Sequence, residues 1–181
     1  MQEVSINKQM KLSEHFTLGE LCKTKHVTED GNIPSHVAIE NLKRICENWL
    51  EDLRYSYNML YVHSGVRPQS KVAGDCTLAP DPGAAPETEE AIVINSGYRS
   101  PEVNRLAGGA KTSNHLSGCA VDIRCVGKEQ MIRYASILLD IADGTKQEFD
   151  EMLLEQHGSV CWLHFAVRPK DNRRRIGFIR T

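Results

Sequence analysis

Apolar residues along this chain recur at two different periods. From Ser35 onward Val37, Ile39, Leu42, Ile45, Cys46, Trp49, Leu50 and Leu53 fall at three- and four-residue steps, which predicts a long amphipathic helix capped by Ser35 and laid across a sheet. A second helix is expected over 129–142, where Met131, Ile132, Ala135, Leu138, Leu139 and Ala142 repeat in the same way. Short apolar runs predict strands at 92–95 and 120–124, and at 149–155 and 160–167, the last two joined around Gly158. Thr17 can cap a short helix over 18–22, and Pro101 suits the first turn of a helix that ends before Gly108-Gly109. The stretch 57–63 reads as either a strand or the end of the long helix. Mixed strands and helices, with a hairpin closing the pattern, predict an α+β fold: an antiparallel sheet with helices packed on one side.

One segment breaks the pattern. Residues 65–90 are rich in Pro, Gly, Ala and acidic residues without periodicity, and strand-like sequence resumes directly afterwards. They read as a surface insertion in a single domain spanning 1–181, a size that allows a substantial core.

Composition narrows the partners. The chain is 40% hydrophobic and 25% charged, with a formal net charge of -2, so nothing electrostatic favours nucleic acid or an anionic membrane. The Arg173-Arg174-Arg175 run is short and reads as a solvated face. No apolar run approaches the ~20 residues a membrane span requires, and the N-terminus lacks a basic-then-apolar export pattern. The expectation is a monomer made in the cytoplasm. Six cysteines are present without a Cys-x-x-Cys pair, which argues against a structural zinc knot. Cys119 and Cys161 read as buried reduced thiols.

Candidate chemistry concentrates in His115-Leu-Ser-Gly-Cys-Ala-Val-Asp122 and in Cys161-Trp-Leu-His164. Alone, Asp122 reads equally as a surface residue of a half-exposed strand, and His164 as a satisfied core histidine. Together with His115 they form a three-ligand set that leaves one zinc position open, as a catalytic metal requires. A cysteine hydrolase using one of the thiols is a rival of a different kind. The remaining histidines, His15, His26, His36 and His63, read as ordinary surface or capping residues. Trp162, on the strand face of His164, suits either a pocket wall or core packing.

Ser96-Gly-Tyr-Arg-Ser-Pro-Glu-Val-Asn104, Ser113-Asn-His-Leu-Ser-Gly-Cys-Ala-Val-Asp-Ile123 and Trp162-Leu-His164 together resemble the zinc D-Ala-D-Ala carboxypeptidase family of cell-wall peptidases. That fold also carries phage endolysins cutting the L-Ala-D-Glu bond, vancomycin-resistance dipeptidases and the hedgehog signalling domain. The opening at 12–21 is similar to the small stand-alone branch.

The resemblance implies a hedgehog/DD-peptidase-like fold and one zinc ion held by His115, Asp122 and His164. It makes Arg99 the substrate-binding and catalytic arginine, and Ser113 a residue hydrogen-bonding near the substrate. The substrate it implies is the stem peptide of bacterial peptidoglycan, cut either as a D-Ala-D-Ala carboxypeptidase or as an L-Ala-D-Glu endopeptidase. With no export signal, a phage-type lysin acting on the cell wall is expected. Non-catalytic zinc binding on the same fold is the alternative.

Family members place a general base shortly before the final histidine, which here points to Glu155, with His157 and then Glu151 as substitutes. Glu155 lies nine positions before His164, a departure from the commoner spacing. The loop 156–159 is therefore expected to bend so as to bring it to the metal.

Overall fold

The computed structural model describes residues 7–62 and 89–180. Almost all of the 65–90 insertion, together with His63 and Cys76, lies outside them.

The predicted long helix forms, and it runs further than its periodicity indicated. Ser35 caps α2 (His36–Ile45) by accepting a hydrogen bond from the Ala38 amide at 3.2 Å. A wider π turn over Cys46–Leu50 leads into α3 (Glu51–Tyr57), and a second over Asn58–Val62 follows, all in right-handed helical backbone. The ambiguous stretch after Tyr57 is therefore helical through Val62. Each π turn inserts an extra residue and rotates the apolar stripe, so Trp49, Leu50, Leu53 and Tyr57 all remain buried on one side.

The short helix α1 (Leu18–Leu21) begins with a capping box between Thr17 and Glu20. Helix α4 (Pro101–Leu106) is capped by Ser100, and α5 spans Gly127–Thr145.

Five strands, β1 (Ile94–Ser96), β2 (Ala120–Cys125), β3 (Glu151–His157), β4 (Val160–Ala166) and β5 (Arg175–Arg180), form one sheet in the order β1-β2-β4-β3-β5. The fold is α+β, as expected, but the sheet is mixed: β5 runs parallel to β3. The hairpin explains this exception. It returns the chain to the start of β3, and residues 167–174 need only step past that start to begin a parallel edge strand on its far side. The arginine run lies at the surface, as expected, and is also ion-paired. Arg174 opens the link to β5 with an ion pair to Asp143, and Arg173 and Arg175 each lie 3.0 Å from Glu151.

Alternation divides the sheet into two chemical faces. Met152, Leu154, Leu163, Phe165, Val121 and Ile123 face the helices and are buried. Trp49 packs against Phe165 at 5.0 Å between ring centroids, and Tyr57 of α3 meets Tyr134 of α5 at 4.8 Å. Each such buried side chain contributes roughly 1.5–3 kcal/mol. The opposite face carries Asp122, Trp162, His164, Glu151 and Glu155, every one at a position that alternation turns away from the core.

Candidate metal centre

Asp122 on β2 and His164 on β4 are direct cross-strand partners, so the antiparallel register alone brings residues 42 positions apart into contact. His115 arrives from a separate device, a 3-10 turn over Asn114–Ser117. Ser113 caps that turn, and its hydroxyl accepts from the His115 amide at 3.3 Å. Gly118 closes the turn at φ 69°, where a Cβ would lie 2.3 Å from the Ala38 carbonyl oxygen of α2. Left-handed backbone and close helix contact together explain the glycine in His-Leu-Ser-Gly.

His115, Asp122 and His164 are all buried, and one ligand atom from each lies within 4.8 Å of the others. His115 Nδ1 lies 2.6 Å from the Gly97 carbonyl oxygen. A carbonyl only accepts, so Nδ1 carries the proton. In the neutral ring Nε2 then turns a lone pair toward Asp122 Oδ1, 3.2 Å away. His164 Nδ1 approaches the same oxygen at 2.9 Å. Two imidazole nitrogens converging on one carboxylate oxygen are satisfied either by protons or by a cation among them, and this donor set fits zinc. Gly97 earns its place by closeness: a Cβ there would lie 2.3 Å from the Leu21 carbonyl oxygen.

Electrostatics follow from this crowding. Burial alone would raise the Asp122 carboxyl, but the charge and hydrogen bonds of His115 and His164 outweigh it and hold the group far below the usual carboxylate range. Burial likewise works to lower His164, and Asp122 overrides it to push the imidazole upward. Arg99 binds the other oxygen of Asp122, Oδ2, while its Nε donates to Ser96 Oγ at 2.8 Å. The arginine is thus an interior partner of the cluster.

Its backbone is pinned on both sides. The Arg99 amide donates to the His115 carbonyl at 3.1 Å. The buried Asn32 side chain donates to the Tyr98 carbonyl at 3.3 Å and accepts from the Ser100 amide at 2.7 Å. Neither Asn32 nor the Gly97 carbonyl was foreseeable: a single asparagine in a loop carries no spacing, and a backbone acceptor leaves no mark in sequence.

The hairpin between β3 and β4 is tight, pairing His157 with Val160; the expected bend at 156–159 is not present. None is needed. Glu155 pairs with Trp162, and Leu153 with His164, so Glu155 is a diagonal neighbour of His164 on the same face, about 7–8 Å away along the backbone and within reach of a long side chain. Glu155 is half-buried, and its carboxylate accepts no hydrogen bond among the described residues. Burial is the main reason its carboxyl is raised, partly offset by His164.

Glu151 differs: its Oε1 is 3.0 Å from both Arg173 and Arg175, while Oε2 is 3.9 Å from His164 Nε2. His157 sits exposed at the hairpin tip. A cleft of about 450 Å³ opens beside Asp122 and Arg99, with Trp162 and the chain from Lys23 to His26 in its walls.

Residues 86–152 match the family model described as Peptidase M15. A search of curated proteins finds no match. The family match supports a zinc metallopeptidase; it contains Arg99, His115 and Asp122 and stops short of Glu155 and His164.

The thiols weigh against a cysteine hydrolase. All five described cysteines are free and buried, and burial pushes Cys22 and Cys125 up to about 12, which suppresses the nucleophilic thiolate. No helix among the described residues is long and apolar enough to cross a membrane.

Proposed function

We propose that this chain is a zinc peptidase, one catalytic domain that hydrolyses a peptide bond in the stem peptide of bacterial peptidoglycan. The observation that carries the reading is the meeting of His115, Asp122 and His164 on the polar face of the sheet, beside a cleft and a half-buried glutamate. His115 through Nε2, Asp122 through its carboxylate and His164 through Nδ1 would hold the ion. When bound, zinc supplies Lewis acidity that polarises the scissile carbonyl and lowers the pKa of its water to about 7.

The remaining work belongs to the protein. Glu155 takes the proton from the attacking water and returns it to the leaving amine. A carboxyl raised by burial is suited to both transfers, whereas Glu151 is neutralised by two arginines and His157 lies further along the hairpin. Arg99, on the cleft side of Asp122, stabilises the negative charge developing on the carbonyl oxygen or holds a substrate carboxylate. The Gly97 carbonyl fixes the ring orientation of His115 through Nδ1, as an outer partner does in metal sites. Ser113 holds the turn under His115, its hydroxyl accepting from the His115 amide; the motif resemblance also gives it a substrate hydrogen bond.

The motif resemblance supports two bonds as targets, D-Ala-D-Ala at the end of the stem or L-Ala-D-Glu within it, and a phage-type lysin acting at the cell wall. Digestion of purified muropeptides by the zinc-loaded protein, read by product mass, tests all of this. Release of terminal D-alanine identifies the carboxypeptidase, and separation of the stem after L-alanine identifies the endopeptidase. Muropeptides left intact by protein that carries zinc stoichiometrically would establish the non-catalytic alternative.

A further inference from the structure

The cleft beside the metal-capable residues has an unbalanced wall. Lys23, Lys25 and His26 line it together with Arg99, Asp122 and Trp162, so cations outnumber carboxylates there. Arg99 is ion-paired with Asp122. Lys23 and Lys25 are exposed and form no ion pair among the described residues. The chain as a whole carries a formal charge of -2, so this positive edge is local to the cleft. Asn32 anchors the segment that follows the lysines, its amide donating to the Cys22 carbonyl at 2.9 Å and to the Tyr98 carbonyl at 3.3 Å. One side chain therefore ties the base of the lysine loop to the backbone that presents Arg99. The base of the loop that carries Lys23 and Lys25 is thereby held beside the candidate site.

We propose that Lys23 and Lys25 form a carboxylate subsite, which selects acidic peptides bearing a free carboxylate away from the bond to be cut. The proposal rests on the peptidase reading of the neighbouring site. An ammonium on a flexible stem is a point charge that follows a carboxylate without demanding one geometry. Exposed pairs of this kind are individually weak and weaken further with salt. The subsite therefore acts on selection among related peptides.

Stem peptides whose non-scissile carboxylate is either free or amidated form the required pair of probes, identical at the bond cut. The zinc-loaded wild type is expected to favour the free acid by about tenfold in kcat/KM at low salt, and the preference should shrink at high salt. In a Lys23→Ala/Lys25→Ala variant the ratio should fall toward one, while Lys23→Arg/Lys25→Arg should keep it. Equal use of both peptides by the wild type, or an undiminished preference in the alanine pair, would overturn the subsite.

Should the wild type cut neither peptide, the peptidase reading fails, and calorimetric binding of the same two peptides decides the subsite alone. Tighter binding of the acid, lost in the alanine pair, supports it; equal affinity refutes it.

Discussion

At the scale of single residues, the site separates holding from reacting. Asp122 is surrounded by His115, His164 and Arg99, so its carboxylate is committed. Glu155 faces the same space without a hydrogen-bond partner for its carboxylate among the described residues and with its carboxyl raised, chiefly by burial. Glu155→Gln is expected to keep zinc while hydrolysis falls by about 10²- to 10⁴-fold; full turnover in that variant would pass the role to His157. A base must be deprotonated to act. The rising limb of kcat/KM against pH should therefore lie above the ordinary glutamate value near 4.3, and a limb at or below that value would contradict the assignment. Arg99→Ala is expected to lower kcat by about 10²- to 10³-fold, measured with zinc content to separate lost charge stabilisation from lost metal. The metal-capable residues were legible in sequence because histidine and aspartate at fixed offsets within specific motifs are rare. Lys23, Lys25 and Asn32 were not, because ordinary loop residues acquire meaning only from what the fold sets beside them.

At the scale of elements, the end of the sheet where β3 begins is held by charge. The Asp150 side chain is fully buried and accepts from Arg168, from Arg173 Nε at 2.8 Å and from Asn114 Nδ2 at 2.8 Å. It thereby joins the turn that carries His115 to the link that leads into β5. Burial opposes ionisation, yet the Arg173, Arg168 and Asn114 hydrogen bonds hold Asp150 well below its ordinary value. A depressed carboxyl stabilises the fold above the unfolded aspartate value of about 3.9, and that stability is lost as pH falls through the folded value. Asp150→Ala is expected to cost about 2–3 kcal/mol in urea unfolding at neutral pH, less than a fully buried pair because both arginines still reach solvent. Stability of Asp150→Asn should vary less with pH below about 4 than that of the wild type. Sequence announced the hairpin and both long helices through periodicity. It did not announce β5, where an arginine run in an exposed edge strand looks like any solvated segment, nor the tight hairpin register, because the pleat brings Glu155 and His164 to one face without a bend.

At the scale of the whole molecule, the two faces of one sheet divide the labour. One face is sealed by α2, α3 and α5 around Trp49, Tyr57 and Phe165, and this rigid layer fixes the strands whose other face carries the site. Metal binding should therefore feed back on the fold. Zinc at a hundredfold excess over its dissociation constant stabilises the native state by about 2.7 kcal/mol. A chelator is then expected to lower Tm by about 5–10 °C for a domain of this size, with recovery when zinc is restored. The most direct measurement is the zinc content of purified protein, wild type against His115→Ala, Asp122→Ala and His164→Ala. One equivalent per chain in the wild type, with each alanine variant losing it while circular dichroism stays native, is the expected result. Undiminished zinc in the folded Asp122→Ala protein would contradict the proposed centre.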